Sequence, residues 1–243
     1  RGGWGGAIYN NTGARLILNS CIFSNNSSGA GGNAYGPPGN EFGGTGGHGG
    51  CIYLSAQSSL VMDFCHIDSC TAGNGGYSWP NSTGVRGGEG GGLYVTSGAT
   101  ASIARTTFSR NAAGKGGGCR IGGMGGHGGG ISNYGSLGMT NCTLSGNNAG
   151  AGGNGDGCGN GGHGGGFYMS NSVTVAHSTI YQNSAGPQGI GNVPGTGGTG
   201  GGFYRAGGRP ISVSYCILAG NTSYVNIEES QYAPLVGLPN VSS

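Results

Sequence analysis

The chain has 243 residues, 64 of them glycine, and a formal net charge of only +2. Its 9 basic residues form no patch that would hold nucleic acid, and no apolar run approaches the roughly 20 residues that span a bilayer. Eight prolines and the lack of a Gly-X-Y register exclude collagen, while apolar residues recurring in fixed columns argue against disorder.

The columns come from an internal repeat. A glycine unit occurs six times, at residues 2–10 (GGWGGAIYN), 46–54 (GGHGGCIYL), 87–95 (GGEGGGLYV), 125–133 (GGHGGGISN), 161–169 (GGHGGGFYM) and 197–205 (GGTGGGFYR). A second element follows each copy, at 16–26, 60–70, 101–111, 137–147, 173–183 and 211–221. It reads apolar-x-apolar, a short turn, then small-x-apolar-x-x-Asn. First glycines are 36 to 44 residues apart, a spacing that marks a repeat architecture.

Along one repeat, the first apolar column is Ile8, Ile52, Leu93, Ile131, Phe167 and Phe203. Leu16 and Leu18 head the next two columns, and Cys21 and Phe23 two more after a turn. Period-two alternation predicts half-buried strands, about three short ones per repeat. Strands this short bury nothing alone, but stacked in register around one axis they enclose a core. The prediction is a right-handed parallel β-helix of about six rungs over residues 1–223, the hand following that of parallel crossovers. Residues 224–243 leave the pattern and are expected to cap the coil or contact a neighbouring subunit. Because the chain opens inside a repeat and without Met, it reads as a mature chain or a fragment.

Each second element ends on Asn, at Asn26, Asn111, Asn147, Asn183 and Asn221, with Cys70 in the remaining copy. Asn tolerates left-handed backbone and bonds to an Asn above or below it, so a corner ladder is expected. Here the residues resemble a family. Gly5-Gly6-Ala7-Ile8 and Phe23-Ser24-Asn25-Asn26 look like the paired GGA[ILV] and FxxN repeats of polymorphic outer-membrane proteins and related β-helix passengers. The resemblance covers nearly the whole chain to about Asn221, and it implies a secreted or surface protein used for adhesion or structure. The chain departs from that pattern with Gly for Ala in four copies, Cys in one, and long glycine loops.

The loops 27–45, 71–86, 112–124, 148–160 and 184–196 should leave one corner together, as a disordered fringe or as an ordered ridge. The middle residues of the glycine units form a column, Trp4, His48, Glu89, His127, His163 and Thr199, that is a candidate polar ladder or a metal site shared by His127, His163 and Glu89. The Tyr column, Tyr9, Tyr53, Tyr94, Tyr168 and Tyr204, falls outside the coil. It could dock sugars or be covered by the glycine loops.

Eight cysteines and few charges favour an oxidising, extracellular setting. Cys21, Cys65, Cys142 and Cys216 share one buried column, read as small hydrophobes, with Cys21 and Cys65 on adjacent rungs. Cys119 and Cys158, in consecutive glycine loops, are the favoured disulfide pair, with Cys51 and Cys70 a weaker one. Candidate glycosylation sites are Asn10, Asn81, Asn141 and Asn240. The acids, Glu41, Asp63, Asp68, Glu89, Asp156, Glu228 and Glu229, are scattered, so no catalytic pair or calcium site is predicted. The expectation is an extracellular structural protein, not an enzyme and without cofactor, self-associating head to tail. A monomeric adhesin or sugar-binding passenger is the alternative, and a polysaccharide lyase or hydrolase ranks behind both.

Overall fold

In the computed structural model, which describes residues 1–34, 42–78 and 83–224, the chain is all-β and winds as a parallel β-solenoid. It passes in turn through three parallel sheets of six strands each. The first holds Ile8–Asn10, Ile52–Leu54, Leu93–Val95, Ile131–Asn133, Phe167–Met169 and Phe203–Arg205. The second holds Arg15–Asn19, Ser59–Asp63, Thr100–Ala104, Ser136–Thr140, Val173–Ala176 and Ile211–Ser214. The third holds Ile22–Ser24, His66–Asp68, Thr107–Ser109, Thr143–Ser145, Thr179–Tyr181 and Ile217–Ala219. Register follows the columns, with Ile8 opposite Ile52, Leu16 opposite Leu60 and Phe23 opposite Ile67. No helix among the described residues is long and apolar enough to cross a membrane.

Strands of three to five residues need sharp corners, and three residues per turn supply them with left-handed backbone. One corner uses Gly5, Gly49, Gly90, Gly128, Gly164 and Gly200, at φ of 64 to 69°. A Cβ on Gly49 would sit 2.4 Å from the Ile52 carbonyl oxygen, so glycine is required there. The second corner uses Ser20, Phe64, Arg105, Asn141, His177 and Tyr215, the third Asn25, Ser69, Arg110, Gly146, Gln182 and Gly220. Neighbouring turns must therefore outweigh roughly 1–2 kcal/mol of strain at each non-glycine position.

Inside the coil, Ile52, Leu60, Ile67, Leu93, Phe108, Ile131, Leu144 and Phe167 are fully buried. Each contributes roughly 1.5–3 kcal/mol. Two points add to the sequence reading. The third residue of five of the six first-sheet strands also turns inward, adding Asn10, Leu54, Val95, Asn133 and Met169 to the buried set, while Arg205 in the last strand is only half-buried. And the Cys21 column, whose Cys65 and Cys142 do lie in the apolar core, also supplies a small X–H donor. Cys65, Thr106, Cys142 and Ser178 each donate to the carbonyl two residues back, at 2.8 to 3.3 Å. Thr106 Oγ1 and Ser178 Oγ also accept the amides of Cys65 and Cys142 from the preceding turn. Thiol and hydroxyl interchange down the column because both fit that role.

The glycine-rich segments between turns are hydrogen-bonded to one another. One line of bonds runs from Gly29 N–H to Gly3 O, then Gly47 to Gly29, Gly73 to Gly47, Gly88 to Gly73, and on to Gly198, at 2.7 to 3.0 Å. It alternates between segments leaving the coil and segments entering it. A second line lies three residues away, through Gly32, Gly44 and Gly76 and, further along, Gly117, Gly123, Gly153, Gly159 and Gly189. A bonding period of three is that of polyproline II-type helices, which have no internal bonds and can direct all their amides sideways. A Cβ on Gly73 would lie 1.9 Å from the Gly29 oxygen, so the lattice closes only around glycine. Tyr224 is the last described residue of the array, its amide donating to Gly198 O at 3.1 Å, and 225–243 lie outside the described residues.

Candidate functional site

The column residues of the glycine units and the tyrosines meet outside the first sheet and interleave. Ring centroids of Tyr9, Tyr53 and Tyr94 stack at 5.2 Å intervals, and Tyr168 and Tyr204 at 5.6 Å. Each glycine-unit ring lies over the tyrosine one turn on: Trp4 on Tyr53, His48 on Tyr94, His127 on Tyr168 and His163 on Tyr204, at 4.4 to 4.8 Å. Ser132 breaks the tyrosine column, and Tyr134 fills the gap from two residues away, 5.6 Å from both Tyr94 and Tyr168. Glu89 accepts hydrogen bonds from Tyr134 Oη at 2.6 Å and Ser132 Oγ at 3.2 Å. Missing ring, substitute ring and carboxylate are one linked set of replacements.

The stack is a second core, not an open platform. Tyr53 is 7% and Tyr168 9% exposed, Tyr94, Tyr134 and Tyr204 are half-buried, and Tyr9, at the end of the stack, is 49% exposed. Of the two alternatives for the tyrosine column, the buried centre of the stack fits the covered one better than a sugar-docking face.

The imidazoles are committed as acceptors. His48 Nδ1 takes the amide of Glu89, His127 Nδ1 that of His163, and His163 Nδ1 that of Thr199, at 2.9 to 3.0 Å. Burial, then the charge of Arg86, lowers His48 to about 4 and His127 to about 3, and lowers His163 as well. All three are neutral at physiological pH. Burial raises Glu89, against the opposing effects of Tyr134, Arg86 and Ser132. The Nδ1 lone pairs of His127 and His163 point at backbone amides, His127 Nε2 faces Arg86 at 2.8 Å, and no three His, Cys, Asp or Glu side chains among the described residues are placed to hold an ion.

At the third corner, Asn111 Nδ2 donates to Asn147 Oδ1, Asn147 to Asn183 and Asn183 to Asn221, at 2.8 to 3.0 Å. Each acceptor oxygen also takes the backbone amide of the preceding Asn. Asn26 stands apart, its Nδ2 facing the sulfurs of Cys51 and Cys70. Asn10, expected to carry sugar, is buried, and its Nδ2 donates to Ala14 O and Ser59 O at 3.2 Å. No glycan fits there. Asn141 is exposed at the second corner, whereas Asn81 and Asn240 lie outside the described residues.

Cys119 and Cys158 are not joined. The Cys119 thiol turns back to the Ile121 carbonyl at 2.6 Å, and Cys158 to that of Gly155 at 3.9 Å. Cys21 and Cys65 are also unbonded, each donating to a carbonyl of its own turn.

Sequence reading missed a Ser–His–Asp set on the third sheet. Ser109 Oγ donates to Asp68 at 2.6 Å and lies 2.8 Å from His66 Nε2. The order is wrong for a nucleophile, because the buried hydroxyl gives its proton to the carboxylate. Burial alone would raise Asp68, but bonds from Ser109, Arg110 and Ser69 hold it below the usual range. Asp63 is held down by its bond and ion pair with Arg105. Along the second sheet runs a groove of about 590 Å³ with a mainly apolar lining, including Val61 and Pro210, set with hydroxyls such as Ser59, Thr100, Ser102 and Thr174, with Arg15 at one end and no carboxylate, imidazole or aromatic ring. Comparison with protein families, curated proteins and solved structures returned no match.

Proposed function

We propose that the chain is an extracellular structural protein: a right-handed β-helix of six rungs, with glycine-rich segments projecting from one corner, whose copies stack head to tail into a surface or secreted filament. The observation that supports this most is the state of the core at the two ends of the stack. Ile52, Leu60 and Ile67 are buried, but Ile8, Leu16 and Phe23, one turn out, are only partly covered. At the other end Phe203 and Ile211 are partly covered and Leu218 is 37% exposed, whereas Phe167, Val173 and Ile180 are buried. Among the described residues, the first and last turns carry apolar columns in the same three-sheet register. Laid on a second copy, Phe203 would pair with Ile8, Ile211 with Leu16 and Leu218 with Phe23.

The internal ladders are directional and would continue through such a joint. Every Asn bond runs from the earlier turn to the later, so Asn221 of one copy would donate to Asn26 of the next. Tyr204 would meet Tyr9. The contact is heterologous and propagates without closure. Scarce charge and abundant small residues suit a structural role outside the cell.

The second reading, a monomeric sugar-binding protein, draws on the groove along the second sheet, where hydroxyls are set among apolar side chains. Glycosidic cleavage fits poorly, since the groove holds no carboxylate to act as acid or base. Light scattering against concentration separates the two. The wild-type chain should grow, and Leu218→Lys, which charges one end face, should stay a folded monomer. A wild-type chain that stays monomeric throughout gives the reading up to the monomeric alternative.

A further inference from the structure

We propose that Cys51 and Cys70 form a disulfide that closes one turn of the solenoid upon itself. The first argument is a coupled exception in the repeat. Five turns place Asn at the third corner, and one places Cys70 there. The residue that opens the first-sheet strand is Gly92, Gly130, Gly166 or Gly202 in four turns, Ala7 in the end turn, and Cys51 in the same turn as Cys70. Two independent substitutions to cysteine have no reason to share a turn; a bonded pair does.

The second argument is distance. Asn26 Nδ2 lies 3.8 Å from Cys51 Sγ and 4.0 Å from Cys70 Sγ, so both sulfurs occupy one small space. Both are free thiols in this structure, with Cys70 Sγ donating to Asp68 O at 3.5 Å, and the influence of each on the other raises Cys51 and lowers Cys70. The other turns show that the corner has disulfide dimensions. A Cβ built on Gly130 lies 3.1 Å from Asn147 Cγ, on Gly166 3.0 Å from Asn183 Cγ, and on Gly202 3.1 Å from Asn221 Cγ. Asn Cγ is where a cysteine at that position carries its sulfur. In a disulfide, a Cβ stands ~3.0 Å from the far sulfur, given an S–S bond of ~2.04 Å and ordinary bond angles.

The third argument is what the corner lacks. Cys70 interrupts the Asn ladder between Asn26 and Asn111, and a covalent bond takes the place of the missing amide contacts. It would tie the end of the third-sheet strand His66–Asp68 to the start of the first-sheet strand Ile52–Leu54, leaving the glycine segment after Cys70 outside the ring.

Oxidation needs a small-molecule disulfide as partner. The thiolate of one cysteine attacks it, forming a mixed disulfide and releasing one thiol. The second cysteine then attacks the mixed disulfide, forming Cys51–Cys70 and releasing the other thiol. The two protons end on the released thiols. Both side chains are fully buried once folded, so exchange occurs while the corner is still open.

The test is to refold the full chain with oxidised and reduced glutathione, alkylate it in denaturant, digest it and map peptides without reduction. The expected product is a peptide linking Cys51 to Cys70 and lighter by two hydrogens. Refolding in excess reductant should lower the melting temperature by roughly 6–12 °C, from the loop entropy a disulfide of this span removes and the usual response of a chain this size. Cys51→Gly with Cys70→Asn, which rebuilds the corner of the later turns, should fold and melt alike with or without reductant. Alkylation of both cysteines in the oxidised, folded protein overturns the proposal, as does either one paired with a different cysteine.

Discussion

Lowering the pH from 8 to 5 should loosen the protein through its ring stack, well before Asp63 and Asp68 respond. His48 and His127 have folded values of about 4 and about 3, against an ordinary 6.5. Both are neutral in the fold and protonate on unfolding, so the unfolded chain binds more protons. Their stability is therefore fully present above 6.5 and is lost as pH falls towards the folded values. At pH 5 the unfolded imidazole lies about 1.5 units below its midpoint, which costs about 2 kcal/mol per histidine and about 4 for the pair. For a chain of this size that is a fall of roughly 8–16 °C in melting temperature. His163, also lowered, adds to the loss. Glu89, raised by burial, acts with the opposite sign: its contribution is greatest below the usual carboxylate range and is lost as pH rises, so it offsets part of the fall. Asp63 and Asp68 are lowered and lose stability only below about 3.8, outside this window. The assay is thermal melting by circular dichroism at fixed ionic strength, with His48→Phe/His127→Phe alongside. Phe keeps rings on Tyr94 and Tyr168 but cannot titrate, and it leaves the amides of Glu89 and His163 without acceptors. The double variant should melt lower at pH 8 yet change little by pH 5. A wild-type melt that is flat from pH 8 to 5, or a double variant that keeps the wild-type slope, refutes the reasoning.

Gly126→Ala places a Cβ 1.9 Å from the Gly88 oxygen and should destabilise by more than about 3 kcal/mol in urea melts, whereas Gly138→Ala, with nothing within 4 Å, should stay within about 0.5 kcal/mol. Asn147→Ala strips acceptors from the amide and side chain of Asn111 and a donor from Phe108 O, and should cost about 3–5 kcal/mol in the same assay. Expressed through a secretory pathway that modifies Asn-x-Ser/Thr, the chain should carry sugar on exposed Asn141 and none on Asn10 or Asn221, as mass spectrometry of the glycopeptides would show.

Strand positions were legible because period-two apolar columns repeat with the same internal spacing, and a one-residue slip would turn every side chain to the wrong face. The Asn corner was equally plain from Asn111, Asn147 and Asn183. The reading failed where a column carries a role rather than a hydropathy. Cys65, Thr106, Cys142 and Ser178 read only as a column of small residues, and what they share beyond size is a donor to a carbonyl two residues back. Asn10 read as a surface sequon because Asn is usually exposed, although its place two residues after Ile8 put it inside. The glycine segments hid a usable signal: pairs three apart, as Gly29 and Gly32, Gly44 and Gly47, or Gly150 and Gly153, match the bonding period of the lattice. Tyr134 could not be found by column reading, since it fills the gap at Ser132 from outside the aligned position.

Electron microscopy of the concentrated chain, with diffraction from aligned material, tests the assembly most directly. With six strands per sheet at about 4.8 Å each, end-to-end stacking gives filaments with a strong axial spacing near 4.8 Å and a subunit repeat of roughly 29 Å. Discrete single-chain particles at every concentration, with no axial repeat, contradict the account.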